Sequence, residues 1–273
     1  MPDSIFVRDG DRYVPTALAG SPWTSEAIHG GPAAGLLARA VEQATPAADL
    51  MVARLTMDLF RQVPSAPLTV TTKMIREGRR IASCEASLWA GDVEVSRASG
   101  LYLQQVEIDV PDDMLPRKMP AKTPDQLPTR NLHGEGPRFP GPEGFHTYIQ
   151  AKHPGEGSPF MAGGGMIWLN FPCQFIAGEE TSPLVRVAAI SDFANPLTMV
   201  RLDSGVGFIN TDITIYLHRQ AESEWIGIEA HGAVQRNGIG VANGTLFDER
   251  GPIGIVAQAK LANRRLPGAP AST

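Results

Sequence analysis

The clearest helical pattern in the chain lies between residues 182 and 194. Ser182-Pro183 has the residue types preferred at a helix N-cap and first helical position, and Asn195-Pro196 marks a stop. Leu184, Val187 and Ala188 then recur at helical spacing on one stripe. The pattern predicts a helix of about three turns with one buried face.

The residues at 207–219 alternate between apolar and polar side chains instead. Ile213 and Ile215 share one face with Thr211, whereas the opposite face carries polar residues that include Asn210. The alternation predicts a single half-buried strand directly after the helix.

Asp192 continues the apolar stripe of the predicted helix, in its last turn. A carboxylate there opposes the helix dipole, and its burial is costly unless a partner pairs with it. This conflict marks Asp192 as a candidate functional residue. The alternative is a frayed helix end at which Asp192 faces water.

The later half of the chain repeats the earlier half. Residues 55–62 align with residues 213–220 at an offset of 158, with identical Thr, Leu, Arg and Gln positions. Each copy follows a predicted helix, the first of which begins at Pro32 and runs to about Ala44. Each copy also opens a set of strands separated by turn residues, predicted at 52–61, 68–76, 81–89 and 93–106, and later at 225–234, 239–247 and 253–261. The pattern indicates an α+β chain with a duplicated domain.

The rest of the chain suggests the domain limits. Residues 111–142 contain eight prolines and little apolar periodicity, which predicts a linker or a connection that lies on the surface. Residues 1–110 and 143–273 then form the two domains. We also predict an opening hairpin around Asp9-Gly10-Asp11, strands at 145–150 and 166–171, and a flexible point at 163–165.

Composition narrows the classes of function. The net charge of -5 and the lack of a basic block argue against nucleic acid as a partner. Cys84 and Cys173 lack the neighbours of a zinc or redox site. The sequence has no signal peptide and no apolar run of membrane-spanning length, so we expect a cytoplasmic protein without a membrane partner.

Several segments together resemble the TesB-type acyl-CoA thioesterases, which have a double hotdog fold. In the later half the similar segments are residues 189–193, 212–219, 251–254 and 257–259. In the earlier half the similar segment is His29-Gly30-Gly31 with the helix that follows it. The resemblance implies two tandem hotdog domains, each a central helix wrapped by an antiparallel sheet. It also implies a homo-oligomer that hydrolyses acyl-CoA to free fatty acid and CoA, with no metal or cofactor.

The resemblance also implies the site residues. Asp192 matches the family's aspartate and Gln258 its glutamine, which position the water that attacks the thioester. The family's hydroxyl position falls on Asn210, with Thr211 one residue later, and this departure places catalytic efficiency in question. His29, Gly30 and Gly31 are candidates for substrate binding, although the glycines could serve only a tight helix start and His29 only a structural hydrogen bond.

Two other functions remain open at this point. A non-catalytic acyl-CoA or acyl-chain binding protein would keep the pocket without efficient activation of water at Asn210. A hotdog hydratase or dehydratase is weaker, because Asp192 and Asn195-Pro196 are one residue further apart than in the hydratase signature Asp-x-Asn-Pro-x-His, and Thr198 replaces its histidine.

Overall fold

The computed structural model describes residues 3–116, 119–130, 132, 141–155, 159–160, 164–199 and 207–263. Pro137, Pro140 and Gly163, which belong to the predicted linker and flexible point, lie outside these residues. The helices of the described part are α1 (Gly30–Gln43), α2 (Phe145–Tyr148), α3 (Pro183–Ser191) and α4 (Ala194–Leu197). Its strands are β1 (Ser4–Asp9), β2 (Arg12–Pro15), β3 (Leu50–Asp58), β4 (Leu68–Arg76), β5 (Ile81–Ala90), β6 (Val93–Gln104), β7 (Thr129–Arg130), β8 (Gln150–Lys152), β9 (Gly164–Asn170), β10 (Gln174–Ile176), β11 (Gly207–Asn210), β12 (Asp212–Leu217), β13 (Ile226–Val234), β14 (Ile239–Asp248) and β15 (Gly251–Asn263).

These strands form one continuous sheet in the order β10-β1-β2-β4-β5-β6-β3-β12-β15-β14-β13-β9-β8-β7, with β11 beside β15. Neighbouring strands are antiparallel except β1 and β10, which are parallel. The sheet is therefore joined across its middle by β3 and β12, the strands that carry the repeated sequence.

The first and last residues of the strands also repeat between the two halves. The offset of 158 residues maps the limits of β4 and β5 onto those of β13 and β14. Thr56 and Thr214, which are equivalent in the two copies, pair with each other in the sheet and their hydroxyls lie 3.4 Å apart. An approximate twofold axis therefore passes between these threonines and relates the two halves.

The two long helices pack against each other inside the sheet, and the N-terminus of α1 meets the C-terminus of α3. Small residues allow the close approach, because a side chain at Gly31 would place its Cβ 2.5 Å from the Ala189 carbonyl oxygen. A Cβ at Gly35 would lie 2.3 Å from the ring of Phe175. This arrangement of two wrapped helices is the one that the resemblance implies.

The proline-rich connection lies on the outer surface of the later half. Trp168 Nε1 donates to the Lys122 carbonyl at 3.0 Å, and Lys152 Nζ donates to the Pro124 carbonyl at 2.8 Å. Leu127 packs with Trp168 in a cluster separate from the main core. The part of the connection that the structure describes is therefore held on the surface of the later half and is not a free linker.

The prediction of a strand at 145–150 is wrong. Phe145–Tyr148 forms a turn of helix, and the strand begins only at Gln150. Gly144 lies against Gly20, whose carbonyl accepts a hydrogen bond from the Phe145 amide at 3.0 Å. Aromatic residues are common in strands, and they led to the prediction of a strand here. In the structure, Phe145 is instead buried in the core from a helical turn.

The described helices include none with the length and apolar character that would be needed to cross a membrane.

Candidate active site

Asp192 lies where the two halves of the molecule meet. It is the C-cap of α3, only 6% of its surface is exposed, and it faces the N-terminus of α1. The positive end of the α1 dipole therefore lies beside the carboxylate, which compensates for its unfavourable position at the end of its own helix. The alternative of a water-facing Asp192 is excluded.

His29 is the main partner of Asp192. It is the N-cap residue of α1, and its Nδ1 lies 2.9 Å from Asp192 Oδ2 and 3.1 Å from the Gly31 amide nitrogen. The Gly31 amide is directed at Nδ1, but an ionised carboxylate has no proton to share, so the 2.9 Å contact places the proton on Nδ1, which donates to Asp192. The Gly31 amide then donates to the Asp192 carboxylate instead. Within the described residues, no hydrogen bond is made to Nε2, so Nε2 remains available to a water or substrate.

Asn210 is the second side-chain partner of Asp192. Its Nδ2 donates to Asp192 Oδ1 at 2.7 Å. The sequence pattern assigned Asn210 to the face opposite the apolar residues of one continuous strand, and this prediction is wrong. The run is broken between β11 and β12, where Asn210 pairs with Lys260 but Thr214 pairs with Ala257, a register shift of one residue.

The shift acts as a β-bulge and reverses the inward face of the strand. Phe208 and Asn210 point inward before it, whereas Ile213 and Ile215 point inward after it. Thr211 lies at the break, is exposed, and directs its hydroxyl to the Ala259 carbonyl 3.5 Å away. Thr211 is therefore the predicted site residue that the structure does not bring to Asp192.

Gln258 is buried on the inward face of β15, with 1% of its surface exposed. Its Nε2 donates to the Ser191 carbonyl at 2.9 Å, which holds it beside the residue that precedes Asp192. Its Oε1 is buried without a hydrogen-bond partner. A buried orphan acceptor of this kind is typical of a position that binds a water or ligand donor.

The glycines of the predicted substrate-binding turn have a steric role. A Cβ at Gly30 would lie 2.7 Å from Asp192 Oδ2 and 2.9 Å from Oδ1. Gly31 packs against Ala189 and the ring of Phe145 in the same way. These positions therefore lack side chains because the start of α1 presses on the carboxylate and on the helix that carries it.

The surroundings keep Asp192 ionised. Burial alone would raise the pKa of its carboxyl group, because desolvation disfavours the charged form. The imidazole of His29, its hydrogen bond and those from Asn210 and Gly31 outweigh this effect and hold the pKa of Asp192 below its ordinary value. Asp192 is therefore a stable anion at neutral pH and a strong hydrogen-bond acceptor.

Aromatic rings enclose the imidazole. His29 stacks on Phe193 with ring centroids 5.3 Å apart and on His146 at 6.1 Å, and Phe145 meets it edge-on at 5.5 Å. Such walls fix the orientation of the ring and keep the local dielectric low, which strengthens its interaction with Asp192.

Sequence reasoning did not identify Lys260 as a site residue. It lies two residues after Gln258 on the same inward face and is 2% exposed. Its Nζ donates to the Thr198 carbonyl and hydroxyl at 3.0 Å each, and within the described residues no carboxylate pairs with it. Burial lowers the pKa of Lys260 to about 8. The spacing from Gln258 is the signal that could have indicated its position.

The site has the donors and acceptors needed to hold a water but does not resemble a metal centre. In the part of the chain that the structure describes, no cluster of three or more His, Cys, Asp or Glu side chains could bind an ion.

Comparisons with known proteins identify the family of the chain. The family model of the acyl-CoA thioesterase C-terminal domain matches residues 111–262, and that of the N-terminal domain matches residues 19–103. The chain belongs to the acyl-CoA thioesterase family. The two matched domains carry the two sides of the site, because His29 lies in one and Asp192, Asn210 and Gln258 lie in the other. A search of curated proteins found no match.

Solved structures show the same fold as this thioesterase-family chain at low sequence identity. The acyl-CoA thioesterase II TesB2 from Mycobacterium marinum is 13% identical, with a TM-score of 0.62 over 89% of this chain and 92% of that one. A tesB protein from Mycobacterium avium subs paratuberculosis is 16% identical, with a TM-score of 0.60 and coverage of 94% and 96%. A conserved protein with a hot dog fold from Alicyclobacillus acidocaldarius is 14% identical, with a TM-score of 0.69 and coverage of 94% and 95%. The expected TesB-type family and double hotdog fold are thereby confirmed.

Proposed function

We propose that this protein hydrolyses fatty acyl-CoA to a free fatty acid and CoA, using a water molecule bound between Asp192 and Gln258. The observation that carries the proposal is the buried carboxylate of Asp192, which receives hydrogen bonds from His29 in one half and Asn210 in the other. The substrate class comes from the family, and the geometry supports the reaction type.

The free acceptors around Asp192 suit a nucleophilic water. Gln258 uses one Nε2 hydrogen on the Ser191 carbonyl, and its Oε1 is the acceptor that remains to bind a ligand. A water that donates one hydrogen to Gln258 Oε1 and the other to Asp192 would direct a lone pair outward. That lone pair can attack the carbonyl carbon of a thioester bound next to the water.

Asn210 occupies the position of the family's hydroxyl group and could perform the same task. A serine or threonine there would donate one hydrogen bond to the aspartate, and Asn210 Nδ2 donates that bond at 2.7 Å. Its amide oxygen remains as an additional acceptor. The departure from the family pattern therefore preserves the interaction with Asp192, which favours hydrolysis over a purely binding function.

Asp192, oriented by His29, would receive the proton that leaves the water. Asp192 is a weak base, because its pKa is held below the ordinary value. The hydrogen that the water directs at Asp192 passes to that carboxylate as the attack proceeds, while the Nδ1–H of His29 keeps the carboxylate oriented. As the carbon–sulfur bond breaks, the proton passes to the departing CoA sulfur, which leaves as the free thiol.

A thiol-release assay with acyl-CoA esters of 2 to 16 carbons tests the proposal. We expect release of CoA thiol together with free fatty acid in equal amounts. Binding of a non-hydrolysable acyl-CoA thioether without any turnover of the esters would refute hydrolysis and would support the non-catalytic binding protein instead.

The His29–Asp192 pair also keeps a hydratase or dehydratase as a second candidate. This chain has Thr198 where the hydratase signature has a histidine. The structure nevertheless brings a histidine, His29, to Asp192 from the other half of the chain. An imidazole and a carboxylate in one site can exchange protons with a β-hydroxyacyl group. Hydration of an enoyl-CoA without release of thiol would establish this alternative.

A further inference from the structure

The strand that carries Asn210 has an open edge. Within the described part of the chain, β11 pairs with one strand, β15, where Phe208 lies opposite Ala262 and Asn210 opposite Lys260. The amide of Ala262 donates away from β11, to the Gly238 carbonyl, so Phe208 and Ala262 do not exchange hydrogen bonds. The carbonyl of Phe208 therefore faces the edge of β11 that lies away from β15.

The sheet alone does not fix the direction of this strand. β3 ends at Asp58, which pairs with Asp212, so β11 extends past the end of β3. The register break at Thr211 separates β11 from the better supported β12, which has β15 on one side and β3 on the other. Because a bulge bends its strand, the distance of Asn210 from Asp192 depends on what holds the open edge of β11.

Asn195 supplies a hydrogen bond to this open edge. It lies on α4, three residues after Asp192, and 5% of its surface is exposed. Its Nδ2 donates to the Phe208 carbonyl at 3.0 Å. Phe208 precedes Asn210 by two residues and points to the same side of the strand. The bond therefore fixes β11 directly before the side chain that donates to Asp192.

The short helix that carries Asn195 is a fixed support. Ala194 and Leu197 are fully buried in the core. The Thr198 hydroxyl donates to the carbonyls of Ala194 and Asn195, at 3.0 and 3.1 Å. A Cβ at Gly232 would lie 2.6 Å from Thr198 Cβ, so the end of α4 packs directly on β13. Packing of this kind allows Asn195 to hold the position of β11 rather than follow it.

Stability does not account for an asparagine at this position. Among the residues that the structure describes, Asn195 Oδ1 has no hydrogen-bond partner although it is buried. An unsatisfied buried acceptor costs free energy that an apolar side chain of similar size would not. The bond from Nδ2 to Phe208 is therefore the contribution that distinguishes asparagine from leucine here.

The duplication of the chain provides an internal comparison. Pro32 and Pro183, which start the two central helices, are 151 residues apart, and the repeated strands are offset by 158. The half that lacks the site has apolar residues at the three equivalent positions: Val41 for Asp192, Ala44 for Asn195 and Val52 for Asn210. The three polar residues therefore occur together in one half, as expected if they act together.

We propose that Asn195 is a positioning residue, which holds β11 so that Asn210 donates to Asp192. The inference deepens the proposed function and rests on it, because the Asn210–Asp192 bond prepares the carboxylate for the attacking water. Without the bond from Asn195, β11 would move at its open edge and the 2.7 Å contact between Asn210 and Asp192 would lengthen.

A crystal structure of Asn195→Ala tests the positioning without any turnover. We expect Asn210 Nδ2 to lie more than about 3.5 Å from Asp192 Oδ1, beyond the range of a hydrogen bond. A distance that stays at 2.7 Å overturns the proposal. Asn243→Ala, on the exposed outer face of β14, is the matched control and should leave this distance unchanged.

A measurement on the unmodified chain applies even if the variant does not fold. In protein labelled with 15N at asparagine, we expect the side-chain amide protons of Asn195 to exchange with solvent at least about tenfold more slowly than those of Asn243. Equal exchange rates would show that Asn195 does not hold β11, and would overturn the proposal.

Kinetics test the effect of the positioning on catalysis. Asn195→Ala should lower kcat for thiol release about tenfold or more, with little change in KM, because a misplaced group slows the chemical step. In an Asn210→Ala background the same substitution should change kcat by less than about twofold, since the residue through which Asn195 acts is already absent. Effects that multiply would show that Asn195 acts independently of Asn210, and would overturn the proposal.

Thiol release by the unmodified chain separates the two hypotheses. Turnover together with an unchanged Asn210–Asp192 distance in Asn195→Ala refutes only the positioning role. Absence of turnover together with a lengthened distance refutes only the hydrolysis, and leaves Asn195 as the residue that positions Asn210.

Discussion

The Nδ1 atom of His29 lies 2.9 Å from the carboxylate of Asp192, although the two residues belong to different halves of the chain. His29 caps the N-terminus of one central helix, and Asp192 caps the C-terminus of the other. Because the helix that His29 caps directs its positive end at Asp192, both the dipole and the imidazole stabilise the anion. The candidate site is therefore a product of how the two helices pack.

Replacement of Asp192 by asparagine should lower the rate of thiol release about a hundredfold or more, which is typical for the loss of a positioned acid–base group. Asparagine keeps the volume but removes the carboxylate that accepts the hydrogen of the attacking water. The measurement is kcat with a saturating acyl-CoA ester, with circular dichroism to establish that the variant is folded.

Asp58→Asn is the matched control for this variant, because Asp58 is exposed at the end of β3 and faces no site residue. It should keep full activity. Equal rates for Asp192→Asn and the unmodified chain would remove Asp192 from the mechanism.

Gly30→Ala should reduce activity at least tenfold with a modest loss of stability, on the order of 1–3 kcal/mol for overpacking. Its Cβ would lie 2.7 Å from Asp192 Oδ2, so the carboxylate must move away from His29 or Asn210. Thermal unfolding and thiol release measure the two effects. Gly165→Ala, where a Cβ meets nothing within 4 Å, should change neither, and a fully active Gly30→Ala would show that the carboxylate tolerates displacement.

Lys260→Met should stabilise the protein at neutral pH by up to about 3 kcal/mol, since the pKa of Lys260 is lowered from 10.5 to about 8 by burial. Because the pKa of Lys260 is lowered in the folded protein, the unfolded chain binds the proton more tightly than the folded protein does. The cost of the buried charge to the free energy of unfolding is therefore complete below pH 8. It disappears as the pH rises from about 8 to about 10.5. Urea unfolding across this range should therefore show a rise in stability for the unmodified chain that Lys260→Met lacks.

The exposed Lys73→Met serves as the control and should keep the pH dependence of the unmodified chain. A Lys260→Met variant that is less stable at every pH would mean that the hydrogen bonds to Thr198 outweigh the cost of the buried charge.

Arg219→Met should destabilise the protein by roughly 3 kcal/mol, as expected when one partner of a buried ion pair is removed. Asp248 is fully buried, and Arg219 contacts both of its carboxylate oxygens at 2.6 and 2.5 Å. The duplication supplies the control, because Arg61 is equivalent to Arg219 but Ala90 stands where the other copy has Asp248. Arg61→Met should therefore change the free energy of unfolding by less than about 0.5 kcal/mol.

The Arg219–Asp248 ion pair should also make the stability of the protein depend on pH. Burial would raise the pKa of Asp248, but Arg219 and backbone amides hold it below the ordinary value. Its contribution is therefore present above pH of about 4 and is lost as the pH falls further. If acid unfolding of Arg219→Met follows the same course as that of the unmodified chain, the pair does not contribute in this way.

Much of the fold could be predicted because it depends on local rules. Ser182-Pro183 started α3 as predicted, and the repeated strands appear with nearly the predicted limits. The site was harder to predict from the sequence, because the pairing of His29 with Asp192 depends on contact between helices that are distant along the chain. The inward orientation of Asn210 depends on a bulge at Thr211, which strict alternation cannot reveal. The helical turn at Phe145–Tyr148 was predicted as a strand because its residues favour strands.

The junction between β3 and β12 has a practical consequence. The donors that surround Asp192 come from both sides of this junction, so neither half contains a complete site by itself. If the chain were cut within its proline-rich connection, two inactive fragments should regain activity when mixed. Such complementation would allow this fold to serve as a reporter of whether two fused partners associate.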